Sequence, residues 1–89
     1  MNKINEKLFK DKPMSTLIIL NKYRNRGKTV STISKEIHTI FAHTLGIIND
    51  FESEGIIMSE RVGRSRFVKL TKKGEEFVDL IQQIITFRI

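Results

Sequence analysis

The stretch ERVGRSRFVKLTKKG, residues 60–74, is the most chemically pointed part of the chain. After Glu60 it holds six cationic side chains, Arg61, Arg64, Arg66, Lys69, Lys72 and Lys73, and no anionic one. Val62, Phe67, Val68 and Leu70 stand among them, in the alternation of a half-buried strand. A ribbon of guanidinium and ammonium groups is chemistry for a polyanion, and nucleic acid is the commonest one inside cells. The plain alternative is a charged edge that discourages strand pairing. A mixed-sign edge would serve that end equally well, so the single sign favours an anionic partner.

Charge along the rest of the chain is blocked in the same way. Residues 1–28 carry eight basic and two acidic groups, and residues 29–60 carry one basic and five acidic. Residues 61–74 carry six basic groups alone, and residues 75–89 one basic and three acidic. Eighty-nine residues with net charge +6 make one small globular domain. With no cysteine and two histidines, His38 and His43, neither a disulfide framework nor a metal site is expected. No Ser–His–acid order or glycine-rich phosphate loop stands out, so an enzyme is not expected and no cofactor is implied. No apolar run is long enough for a bilayer and MNKINEKLFKDKP is not a secretory signal, so a soluble, cytoplasmic protein without membrane contact is expected.

These basic segments need elements to hold them. Pro13 suits the first turn of a helix, and Met14, Leu17, Ile18, Leu20 and Tyr23 give that helix a buried face ending before Gly27. Thr29 and Val30 suit a short strand, and Ser31 the N-cap of a second helix that buries Ile33 and Ile37 and ends near His38. A third helix is expected from Thr39 to Glu54, with Ile40, Thr44, Ile47, Ile48 and Phe51 inward and Ala42, His43, Gly46, Asn49, Asp50 and Ser53 outward. Gly46 is costly in a helix interior, which marks either a defect or a close approach to the backbone. Two strands, IIMSERV and RFVKL, then meet at GRS, and Thr71 is placed to cap a last helix. Lys72 and Lys73 fall in the first turn of that helix, an unfavourable end for cations, which suggests an outside anion.

The order helix, helix, helix, hairpin, helix contains a helix-turn-helix followed by a β-hairpin. With ISKEI, FESEGII and GRSRFVKLTKKG in that order, residues 14–76 resemble the winged-helix DNA-binding domains of small archaeal and bacterial transcription regulators, the MarR-like group among them. The resemblance implies a mainly α fold with a small β-hairpin (α+β), in the order α1-(β1)-α2-α3-β2-β3-α4. It implies a sequence-selective double-stranded DNA-binding protein, with the third helix in the major groove and the hairpin as a basic wing on the phosphates or the minor groove. Thr39, Ala42, His43, Gly46 and Asn49 would lie nearest the bases. Arg61, Arg64, Ser65, Arg66 and Lys69 would serve the wing. Ser31, at the start of the second helix, is expected to contact a phosphate because helix N-termini bind anions. The third helix departs from the group's habit: it has no Arg or Lys between Thr39 and Glu54, and carries Asp50, Glu52 and Glu54 instead. Base reading then falls to His43, Asn49, Thr39 and Thr44, with phosphates supplying much of the affinity. The acidic helix also leaves open a second reading, a winged-helix module that docks on other proteins in a transcription assembly.

The last helix is more apolar than one small domain can cover. Phe77, Leu80, Ile81, Ile84 and Phe87 form a stripe, with Val78 and Ile85 to its side. A homodimer seam is the expectation, against the alternative that Ile4, Leu8 and Phe9 fold over the stripe. The expected division is an N-terminal extension over residues 1–12, a winged-helix domain over 13–76, and a dimerisation helix over 71–89. The sequence assigns no small-molecule effector.

Overall fold

Pro13 stands second in helix α1 (Lys12–Lys22), where its missing N–H costs nothing. The structure is a computed structural model that describes residues 12–88. The expectations placed on Ile4, Leu8 and Phe9 and on the N-terminal extension therefore fall on residues outside the described ones. Helix α1 buries Thr16, Leu17 and Leu20, with Met14 and Ile19 packed partly against the core. Strand β1 (Lys28–Thr29) follows, then α2 (Val30–Glu36), α3 (Phe41–Ser53), β2 (Ile57–Val62), β3 (Ser65–Leu70) and α4 (Lys72–Arg88). The fold is mainly α with a small antiparallel sheet, a winged helix-turn-helix in the expected element order.

The short strand lies one residue earlier than expected, at Lys28–Thr29, and Val30 opens α2. This moves the helix cap. Thr29, not Ser31, is the N-cap of α2: its backbone is extended and its Oγ1 accepts from the N–H of Thr32 at 3.2 Å. Ser31 sits exposed in the first turn. Ser34 turns inward, 7% exposed, and its hydroxyl has no hydrogen-bond partner among the described residues, so it offers no anion contact.

Helix α2 ends in a Schellman turn. The N–H of Thr39 donates to the carbonyl of Ser34 (3.0 Å), and that of His38 to the carbonyl of Lys35 (3.3 Å). His38 takes the left-handed conformation, φ 55°, that this turn demands of its C′ residue. The bend brings α3 off at once, and α2 and α3 become the two helices of the helix-turn-helix.

Helix α3 starts later than the apolar spacing implies. Ile40 is its N-cap, with extended backbone (φ −68°, ψ 151°). It therefore lies outside the helical wheel and its side chain is 73% exposed rather than inward. Thr44, Ile47 and Ile48 do face inward, and Thr44 returns its hydroxyl to the carbonyl of Ile40 at 3.2 Å.

The hairpin closes through two residues, Gly63 and Arg64, between paired Val62 and Ser65. Gly63 has φ +62° while Arg64 is not left-handed, the pattern of a type II′ turn, which matches strand twist and wants glycine first. Strand β3 is central, with β1 and β2 antiparallel on either side. Its alternation holds as expected: Val68 and Leu70 are buried, Phe67 and Lys69 exposed. The core gathers Leu17, Leu20, Val30, Ile33, Ile37, Ile48, Ile56, Ile57, Val68, Leu70, Val78 and Ile81.

Two segments that stand out in the sequence, FESEGII and LTKKG, grip each other. Thr71 caps α4 by accepting from the N–H of Gly74 (3.0 Å), and directs its hydroxyl at the carbonyls of Gly55 (2.6 Å) and Ile56 (3.2 Å). The N–H of Thr71 donates to the carbonyl of Ile56 (3.0 Å). Lys73 donates to the carbonyl of Glu54, at the end of α3, at 2.9 Å. Lys73 thus answers a helix C-terminus within the fold, which removes the need for an outside anion at that residue. At the other side of α4, Arg24 reaches across from the end of α1 to Glu75 (3.6 Å) and to Asp79, a half-exposed cluster of modest energetic weight.

In α4, Val78 (1% exposed) and Ile81 (9%) enter the core. The expected outward stripe therefore loses Ile81. Phe77, Leu80, Ile84 and Phe87 remain exposed, at spacings of three, four and three, a single helical seam.

Candidate nucleic-acid interface

Strand alternation divides the wing into two chemically different faces. Ile57, Ser59 and Arg61 of β2 share one face with Arg66, Val68 and Leu70 of β3; Met58, Glu60 and Val62 share the other with Ser65, Phe67 and Lys69. Neighbours in one strand point to opposite sides, so Arg61 and Glu60 do not pair. Arg61 and Arg66 stand directly opposite each other across the ladder, a like-charge pair on the inner face, toward α3.

Beneath them lies a concavity of about 350 Å³ lined from three elements. Thr29, Val30 and Ser31 come from β1 and the start of α2; Phe41 and Leu45 come from α3; Arg61, Arg64, Ser65 and Arg66 come from the hairpin. The structure thus brings together four of the five expected wing residues and Ser31, in spite of the distance between them in sequence. Arg61 and Arg64 are exposed and have no ion-pair partner among the described residues. Their side chains are free to meet an anion.

Lys69 is the wing residue left out. It lies on the outer face beside a separate hollow lined by Arg26, Met58, Val62 and Phe67. The alternation that buries Val68 and Leu70 forces this placement.

The exposed side of α3 carries Ala42, His43, Gly46 and Asn49, all four where the helical period puts them. A Cβ built on Gly46 would meet no atom within 4 Å, so no neighbour among the described residues requires a glycine there. Thr39 is half-buried in the turn before α3, with its hydroxyl toward the carbonyl of Ile37 at 3.4 Å. It sits beside the helix rather than on it.

Arg66 links wing and helix. Its Nη2 donates to Glu52 Oε1 at 2.6 Å and to Asn49 Oδ1 at 3.1 Å. The second oxygen of Glu52 accepts from the hydroxyl of Ser59 at 2.7 Å. One acidic residue of α3 is therefore consumed within the fold, tying β2 and β3 to the helix. Asp50 and Glu54 remain exposed.

Two residues of this surface escape sequence reasoning. Phe41 is half exposed, 50%, and lines the concavity; helical spacing places it in neither the inward nor the outward set. Glu52 reads in the sequence as a repulsive acid, because its partner lies 14 residues away across a turn. A carboxylate on the helix and an arginine at an inward strand position are the available signals, but only the hairpin register joins them.

No family model matches the chain, and no curated protein matches it in sequence. Solved structures do resemble it. MepR of Staphylococcus aureus, a transcription regulator of the multidrug efflux pump MepA, superposes with a TM-score of 0.85 at 20% identity, over 97% of this chain and 67% of MepR. Streptococcus pneumoniae FabT, in complex with DNA, gives 0.69 at 24% identity, over 86% of this chain and 57% of FabT. The homodimeric winged helix-turn-helix DNA-binding domain Mb0332 of Mycobacterium bovis, a possible ArsR-family transcriptional regulator, gives 0.73 at 13% identity, over 90% of this chain and 73% of that domain. This chain spans about two thirds or less of the first two. The likeness at these identities is one of fold: the chain has the winged helix-turn-helix architecture of such regulators.

Proposed function

We propose that this chain binds double-stranded DNA as a winged-helix transcription regulator, with α3 in the major groove and the wing on the sugar–phosphate backbone. The observation that carries the reading is the convergence of Arg61, Arg64, Ser65 and Ser31 on one concavity beside the exposed face of α3. A phosphate strand following that concavity meets two guanidinium groups that have no ion pair among the described residues and a serine hydroxyl, while Ala42, His43, Gly46 and Asn49 face the base edges. Phe41 adds an apolar surface of the kind that suits a thymine methyl group. MepR and FabT supply the analogy, since each of these winged-helix proteins has been solved bound to DNA.

The seam of Phe77, Leu80, Ile84 and Phe87 is where a second copy would pack. A two-fold pair would set its recognition helices about 34 Å apart, one turn of duplex. In this reading residues 13–76 form the DNA-binding unit, and α4 both completes its core and carries the dimer contact.

The test is binding of random duplex followed by fluorescence anisotropy across a salt series. Affinity should fall steeply with salt, as counterion release requires. A protein that leaves duplex unbound at low salt would instead support the docking-module reading, for which the exposed Met58, Val62 and Phe67 of the outer sheet face provide an apolar surface.

A further inference from the structure

Helix α3 has no arginine or lysine of its own, yet the structure sets a guanidinium beside its exposed face. We propose that Glu52 recruits Arg66 from the wing to α3, where Arg66 and Asn49 together form a donor-only edge that reads guanine. The inference rests on the DNA-binding reading and deepens it by assigning a base.

Arginine has no acceptor atom, so the Asn49 atom beside Arg66 Nη2, at 3.1 Å, must be the carbonyl Oδ1. This fixes the amide. Its NH2, on an exposed residue, has no partner among the described residues. A free asparagine can grip adenine with one donor and one acceptor. Here the acceptor already serves a cation, whose charge disfavours the N6 amino group of adenine. What remains is the asparagine NH2 and the unused N–H groups of Arg66, all donors. Guanine offers two acceptors, N7 and O6, on its major-groove edge; cytosine offers only an amino donor there.

Glu52 makes the arrangement possible. Its Oε1 holds Arg66 at 2.6 Å and its Oε2 is held by Ser59 at 2.7 Å. The carboxylate is anchored from β2 while it draws an arginine of β3 toward α3. It also offsets the crowding of Arg66 by Arg61, its directly opposed neighbour. Glu52 is thus a positioning residue, and its acidity in a DNA-facing element has a physical reason.

The experiment is selection of bound duplexes from a random pool by the full chain and by three variants: Asn49→Ala, Arg66→Ala and Glu52→Ala. The wild type should select guanine at one base pair per recognition helix. Each variant should relax that same position by roughly fivefold or more and leave the other positions as they were. A uniform loss of affinity in Arg66→Ala, with the base profile intact, would make Arg66 a phosphate contact and overturn the proposal. A uniform gain in Glu52→Ala would show that Glu52 merely repels DNA, with the same consequence. Wild-type binding without base preference overturns the proposal but spares the DNA-binding reading, whereas absence of duplex binding removes both. A readout independent of DNA completes the test: the side-chain NH2 resonance of Asn49 in the free protein should shift in Arg66→Ala and in Glu52→Ala. An unmoved resonance means that the contact does not persist in solution, and the proposal fails.

Discussion

A Cβ placed on Gly74 would lie 2.0 Å from the carbonyl oxygen of Ile56. No real contact is that short, and the obstruction is backbone. The first turn of α4 therefore packs directly on the chain that leaves α3, and only glycine permits it. Gly74→Ala must push α4 from its seat, displacing Val78 and Ile81 from the core. We expect a loss of about 2–3 kcal/mol, read as a fall in thermal midpoint of more than about 8 °C for a domain of this size. Thr71→Ala, which removes the cap but leaves the close packing, should cost about 1 kcal/mol.

This contact explains a sequence feature on physical grounds. FESEGII and LTKKG, two of the segments that carry the family resemblance, are two halves of one junction: Thr71 to Gly55 and Ile56, Lys73 to Glu54, Gly74 against Ile56. They report the fold rather than the ligand. The architecture was accordingly legible in the chain, from the period of α1 and α3, the turn at Gly63 and the alternation of Val68 and Leu70. Errors fell where a local rule met a boundary. Ile40 fits the inward spacing of α3 but is its cap, and Ser31 is a good cap residue placed just inside the helix. Ile81 shares the apolar stripe of α4, but a helix packed on a small core buries whichever residues its rotation selects, here Val78 and Ile81. The exposure of Ala42, His43, Gly46 and Asn49 was legible from the helical period, and the couplings between elements were not. The Glu52–Arg66 bridge depends on strand register, which no periodicity within either element encodes.

The exposed seam of α4 gives a prediction with an internal control. Leu80 and Ile84 are 58% and 56% exposed, so replacing both with glutamate should change the melting of the isolated fold by no more than about 0.5 kcal/mol per site. If the seam joins two copies, the same double variant should sediment as a monomer under conditions where the wild type is a dimer. Val78→Ala, close in sequence but in the core, should instead cost about 2 kcal/mol. A wild type that sediments as a monomer at high concentration would remove the seam as a dimer contact.

Gly46 separates stability from function. Its position on α3 is open, with nothing within 4 Å of where an alanine methyl group would sit. Gly46→Ala should then stabilise the free protein by about 0.5–1 kcal/mol, the usual gain for a helix interior. If duplex DNA approaches this face closely, the same methyl group should weaken binding. A higher melting point with lower affinity is the expected pair of results, checked by calorimetry and anisotropy on one preparation. Unchanged affinity would place the base edges away from Gly46.

Arg61 makes the same argument for the wing. It faces Arg66 directly across the ladder, and opposed like charges weaken a strand pair by a few tenths of a kcal/mol to about 1. Arg61→Thr should therefore raise the stability of the free protein slightly, since threonine suits a strand and removes the repulsion. On DNA the sign reverses. Arg61 and Arg64 each line the concavity without an ion pair among the described residues, so each neutralised phosphate should contribute about 0.9 to the slope of log affinity against log salt. Arg61→Thr with Arg64→Ala should lower that slope by about 1.8 and weaken all duplexes alike, whatever their sequence. Arg66→Ala should lower it far less, because its charge is already met by Glu52 at 2.6 Å. An equal effect of all three substitutions would mean that Arg66 leaves Glu52 for the backbone when DNA binds.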